Sequence, residues 1–532
     1  MLSIRATKKL AMLSLIGALA AAPATAQGLG GLLNRALDVV DGDDNGNQQS
    51  PPPVPQQLGI MANEQSITLG GYSSSFNTIR GLMSAGDYSE AIAIYSGEKK
   101  QSNAGLGNFV STNDQFLRNA ELGVMQFERG QTESAVEHFN LAEADVNQTN
   151  SQQRQRGFGG GLNSLRRNVT RLGLNVIGRE GLAPYQEQDF EEIIQLNYLT
   201  LTYLMEGEYK AFNVTRRAIV AQTIAREIFI EELEKAQTDI ESLEDEQGQT
   251  STESVRNAQD NFFTVFSQFD DIASRVPSAY VNPLGYYVNA VVLEIDSIRK
   301  PEKRGNARES YRKALELAPS SSVLESAFIE LSSAQANDNQ STVHIIFAEG
   351  FAPSRQVLTY GLQMDSSVIP IELPVYVPNS SLISSVQAQA NTGQSAQLEA
   401  VADIEAIVMR SQKDRLPIIW SKVALQAVRS AMMQNAAGSS TTGAVLYGVA
   451  EGLQQPDTRS WSSLPARFHI ARLKVPNTAT QITLSARDAQ GAQVKSQTVQ
   501  IDASSQHVVI YGRAVDGALN ASTSAPLWIA NP

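Results

Sequence analysis

From about Ser75 to residue 336, apolar side chains recur every three or four positions in runs of about a dozen. Small polar turns break the runs, and the pattern predicts paired amphipathic helices. Glycines mark three of those turns, at Gly86, Gly130 and Gly207. Residues 219–247 predict a long charged helix with Ile228, Leu233, Ile240 and Leu243 on its apolar side. A returning helix over 254–274 carries Phe262, Phe263, Phe266 and Phe269, so 211–275 reads as a helical hairpin. After Asn337 the period changes to two. Val343–Phe347, Val368–Ile371, Gln481–Ser485, Val494–Ile501 and His507–Tyr511 predict strands, and Pro417–Met433 predicts one apolar helix with Pro417 in its first turn.

The helical pairs carry a finer signature. Ala307, Tyr311, Ala314, Leu315, Leu317 and Pro319 have the offsets of the second helix of a tetratricopeptide (TPR) unit. Leu122, Gly123, Gly130, Ala135, Phe139 and Ala142 match a whole unit. Gly86, Tyr88, Ala91 and Tyr95 match part of another, as do Leu199, Tyr203, Gly207 and Tyr209, although Phe212 stands where a small residue belongs. Small residues are needed where helices cross closely, and large ones fill the space between neighbours. The expected fold is therefore multidomain: an all-α TPR-like helical-repeat array over 61–336, then a smaller α+β, β-rich domain over 337–532. A basic insertion near 148–182 interrupts the array.

The amino terminus changes the compartment. Arg5, Lys8 and Lys9 precede an apolar run from Leu10 to Ala22, and Ala24-Thr25-Ala26 supplies the small residues of a cleavage site, so 1–26 reads as an export signal. Residues 27–60, rich in glycine, aspartate and proline, read as a disordered linker. The chain has no cysteine, which excludes disulfides, thiolate metal sites, a cysteine nucleophile and the lipid anchor of a lipoprotein. A soluble periplasmic protein is expected. The formal charge is −13, and the signal holds three basic residues and no acid, so the mature chain carries −16. That balance argues against nucleic acid as a partner.

No residue set completes a catalytic, cofactor-binding or metal motif. Asp41, Asp43, Asn45 and Gly46 open like a calcium loop, but Pro52 stands where its closing glutamate belongs. The four histidines (His138, His344, His469, His507) lie far apart in sequence and form no zinc signature. The acids of 231–246 suit a solvated helix face better than a paired-carboxylate cleft. Leu162, Leu165, Val169, Leu172 and Val176 form an apolar stripe with Arg166, Arg167 and Arg171 beside it, a candidate contact for an anionic membrane surface or an acidic partner. Arg459 and Trp461 form the most distinctive C-terminal candidate pair. Tyr88, Tyr95, Phe127, Tyr203 and Tyr209 are the candidate aromatics of a partner groove.

Several stretches add a resemblance: Pro184-Tyr185 before Phe190-Glu191, Asn197-Tyr198-Leu199, Tyr280-Val281-Asn282-Pro283, Phe347 to Pro353, and Asp457 to Pro465. With them the chain resembles a poorly characterised family of bacterial cell-envelope proteins that join a TPR-like half to a β-rich C-terminal domain. Those proteins are usually lipoproteins, and this chain departs from them in lacking the cysteine. The resemblance implies an envelope role linked to cell-wall maintenance and transfers no catalytic residue.

The expected function is a non-enzymatic periplasmic scaffold or adaptor without a cofactor, whose helical groove binds another cell-envelope protein. The alternatives are a hydrolase of peptidoglycan or another envelope polymer, and peripheral membrane binding through 162–177.

Overall fold

The computed structural model describes residues 65–69, 71–99, 114–155, 185, 187–247, 263–333, 339–364, 367–436 and 456–529. The expected export signal, linker and calcium-like loop, and the expected basic stripe with Arg166, Arg167 and Arg171, lie outside them.

The helical half begins with α1 (Gly71–Ala85) and α2 (Tyr88–Ser96), then α3 (Gln115–Glu128) and α4 (Thr132–Gln155), and α5 (Asp189–Met205) and α6 (Ala211–Gln247). The turn glycines Gly86, Gly130 and Gly207 take φ values of 85°, 85° and 71°, which a side chain resists. Gly123 lets α3 meet α4, since a Cβ there would stand 2.6 Å from the Phe139 ring. The 37-residue α6 runs as one helix where a long hairpin arm was expected. The returning chain is helical at 263–267 and again in the short α7 (Asp270–Ala273). Three helices follow: α8 (Pro283–Asp296), α9 (Lys303–Leu317) and α10 (Ser322–Ser332). Pro283 opens α8, and the Asn282 side chain accepts the Leu284 amide at 2.9 Å.

Strand β1 (Gln65–Thr68) precedes all these helices and pairs with β3 (Ser354–Met364), which pairs with β4 (Ser367–Val377). A second sheet has the order β10-β9-β5-β6, from β5 (Ser385–Ala390), β6 (Ser395–Gln397), β9 (Gln481–Arg487) and β10 (Gln493–Gln500). The third, ordered β12-β11-β2-β8-β7, combines β2 (Gln340–Glu349), β7 (Glu399–Asp403), β8 (Arg467–Pro476), β11 (His507–Val515) and β12 (Ala518–Thr523). Its β2–β11 pair is parallel and its other pairs are antiparallel.

This five-stranded sheet is buried on both faces. Val343, Ile345 and Phe347 of β2 pack with Val386, Ile482 and Leu484 of the four-stranded sheet. Ile346 and Ala348 of the same strand face the helices, sharing one core with Phe139, Tyr198 and Tyr287. Burial on both faces explains why Ile345–Ala348 of β2 reads as an unbroken apolar run.

These contacts correct the expected all-α TPR-like array. The fold is mixed: β1 places the start of the described chain in a sheet with β3 and β4, and the helices are completed by a sheet instead of stacking only on one another. The C-terminal segment adds a further tie. The Ala525 amide donates to Met205 O at 2.8 Å, and a Cβ on Gly207 would lie 2.2 Å from Pro526 O. The terminal helix also differs from its expected form. As α11 it spans Ile404–Ala436 with Pro417 inside it, because Asp403 caps it 14 residues before the proline, accepting the Ala406 amide at 2.9 Å.

Candidate functional site

The inner face of the helical half is filled by the chain itself. Asp457–Ala466 has no regular secondary structure up to the start of β8, and every residue of it is buried. Acidic side chains from the helices accept its amides: Trp461 N donates to Glu191 at 3.2 Å, and Ser462 N and Ser463 N donate to the two oxygens of Glu121 at 2.6 and 3.0 Å. Donors from α1 take its carbonyls. Ser73 Oγ donates to Thr458 O at 3.2 Å, and Arg80 donates to Ser462 O through Nε and Nη2 at 3.1 and 2.8 Å. The helices thus hold this segment largely through its main-chain groups, as a groove holds a bound peptide.

Two residues expected to bind a partner, Arg459 and Trp461, are buried here and anchor this insert. Arg459 is buried between Asp114 and Asp457, with Nη1 2.8 Å from Asp114 and Nη2 2.6 Å from Asp457. Trp461 is 1% exposed, edge-on to Phe116 at 6.0 Å and tilted against Tyr198 at 6.1 Å. The expected groove aromatics are packing residues too. Tyr88, Tyr95 and Phe127 are buried, and the Tyr203 hydroxyl meets Asn140. Tyr209 stacks on Phe212 and meets Trp528 edge-on. Large aromatics at helical spacing served the core.

Burial changes the acids beneath the insert. The Glu121 carboxyl is pushed up to about 7, because desolvation outweighs the bonds it accepts. Glu128 is likewise raised to about 7 by burial, against the pull of Arg513. Its Oε2 accepts the Tyr88 hydroxyl at 3.0 Å, and it lines a cavity of about 290 Å³ with Phe127, Tyr511, Gln497 and Asn520.

Among the described residues the outer face of the helical half is open. A groove of about 510 Å³ lies among α4, α5 and α6, with Val146, Leu196 and Ala221 along its floor. Val220 and Ile224, one turn apart, stand 55% and 39% exposed beside it. The rim carries both signs: Arg217 forks onto Glu143 at 2.7 and 2.8 Å, with Arg216 and Glu192 nearby. Among the described residues no helix is long and apolar enough to cross a membrane.

One cluster was absent from the sequence reading. Alternation puts His344 of β2, His507 of β11 and Arg472 of β8 on the helix-facing side of the sheet, His344 and Arg472 directly opposite each other. Glu294 of α8 meets them there. The only sequence signal was shared strand parity, which has no meaning until register is known. The acids of 231–246 include Glu232, which pairs with Arg415 at 2.9 Å, and Arg415 also holds Asp189 at 2.6 Å.

No family model, no curated protein and no solved structure matches this chain.

Proposed function

We propose that the protein is a non-enzymatic adaptor of the bacterial cell envelope, exported with a cleaved signal and resident in the periplasm. It binds an amphipathic segment of another envelope protein in the α4–α5–α6 groove. The observation that carries this reading is the exposed Val220–Ile224 pair beside that groove, when the inner face has its own insert. Two adjacent apolar side chains on a helix, rimmed by charges of both signs, suit a helix or extended segment with an apolar face. Co-purification under native conditions tests it. Val220→Asp together with Ile224→Asp lowers recovery of the partner about tenfold or more while leaving the fold intact. Equal recovery with the doubly substituted chain contradicts the reading.

A second reading rests on Glu128. A carboxyl raised to about 7 beside a cavity has the acidity of a general acid, which suits hydrolysis of an envelope polymer. Turnover of cell-wall fragments that disappears in Glu128→Gln supports it, and absence of turnover in the native chain removes it.

A further inference from the structure

We propose that Glu294, His344 and His507 form a binding site for a zinc-type transition-metal ion between the helices and the five-stranded sheet. The inference is independent of the adaptor reading. One ligand atom from each of the three side chains lies within 4.8 Å of the other two, and all three residues are buried. His344 Nε2 and His507 Nδ1 stand 3.0 Å apart, with their rings stacked at 15°. Two nitrogens on one tetrahedral zinc lie roughly 3.3 Å apart, given Zn–N distances of about 2.0–2.1 Å. The imidazoles are thus near ligand spacing already, and a cation would replace the single proton between them.

The proton between the two rings sits on one of the facing nitrogens, so a metal bound by both moves it to the far nitrogen of its own ring. Glu294 supplies a carboxylate oxygen beside them. Two imidazole nitrogens and one carboxylate oxygen suit zinc, cobalt or nickel, whereas calcium and magnesium require oxygen cages. His344 Nδ1 has no hydrogen-bond partner, so with Nε2 on a metal its proton meets no acceptor, which lowers the affinity of the site.

Arg472 is the competitor. It donates to Glu294 Oε1, while Tyr311 donates to Oε2 at 2.7 Å. Arg472 also holds Glu330, which pairs with Lys474 at 2.6 Å as well. The guanidinium therefore keeps one carboxylate when a cation takes an oxygen of Glu294. Its positive charge lowers metal affinity below that of a site without it.

The test uses the untagged mature chain, stripped with a chelator and then dialysed against Zn²⁺ at neutral pH. About one equivalent is retained and Tm rises, while Mg²⁺ changes neither. The His507→Gln chain, altered at the rim of the cluster, loses at least nine-tenths of the bound zinc. On the native chain alone, Zn²⁺ shifts the imidazole ¹⁵N signals of two of the four histidines, and Co²⁺ gives the absorption of a tetrahedral site. Failure of the folded native chain to retain zinc overturns the proposal. So does equal retention by folded His507→Gln, or the absence of any histidine signal change.

Discussion

Nη1 of Arg459 donates to both oxygens of Asp114, at 2.8 and 2.9 Å, across 345 residues of chain. Asp114 immediately precedes α3 and Arg459 belongs to the insert, so this pair joins the main-chain bonds of 458–463 in fastening the segment to the helices. Its loss has a clear consequence. Arg459→Ala leaves Asp114 and Asp457 buried without their cation, and breaking such a pair costs about 3–5 kcal/mol. Urea unfolding checks it, with a lowered midpoint expected. A midpoint unchanged from the native chain contradicts the fastening role.

Trp461 is the apolar counterpart of that fastening. Trp461→Ala empties the box formed with Phe116 and Tyr198 and costs about 3–5 kcal/mol, while Trp461→Phe retains much of the packing and costs less. Thermal unfolding of both variants gives the order. Equal losses would show that the indole packing is not what holds the insert.

Two pH dependences of opposite sign follow from the buried groups. Glu128 has a folded pKa of about 7 against an ordinary value of 4.5, so the folded state binds more protons between them. Its contribution to stability is fully present below about 4.5 and is lost as pH rises through about 7. His507, lowered to about 4 from 6.5, runs the other way, and its contribution is lost as pH falls from 6.5 through 4. The stability difference between the native chain and Glu128→Gln therefore falls as pH rises across that window. The difference between the native chain and His507→Gln rises. Urea titrations at four or five pH values resolve the two slopes, and slopes of the same sign contradict the assignment.

Gly207 tests the tie between the halves. Its φ of 71° and the 2.2 Å approach of Pro526 O to an added Cβ leave no cheap accommodation, because the obstructing atom is backbone. Gly207→Ala should cost roughly 2–4 kcal/mol. It should also raise hydrogen exchange at Ala525, whose amide bonds Met205 O. Protection at Ala525 equal to that of the native chain contradicts the tie.

Local patterning made many elements legible. The glycine turns separate α1 from α2, α3 from α4 and α5 from α6, and β2, β9, β10 and β11 lie where alternation places strands. Long-range placement was not legible. Gln65–Thr68 is too short to announce itself, yet its pairing with β3 helps to overturn the all-α reading. Aromatics such as Tyr95 and Phe127 carry the same spacing whether they line an open groove or a filled one. The insert itself is polar and aperiodic, marked by Trp461, Arg459 and the resemblance over Asp457 to Pro465. The two residues were visible as unusual, but their role depended on Asp114 and Phe116, far away in sequence. The His344–His507 pair depended on strand register in the same way.

The most direct measurement of the central claim is site-specific photocrosslinking in cells, with a photoreactive residue at Val220 in one chain and at Trp461 in another. The account predicts a recurrent adduct with another envelope protein from position 220. From position 461 it predicts crosslinks only within the chain. An intermolecular adduct from position 461, with none from position 220, would contradict it: the inner face would then be the partner's, and the insert would not be its resident occupant.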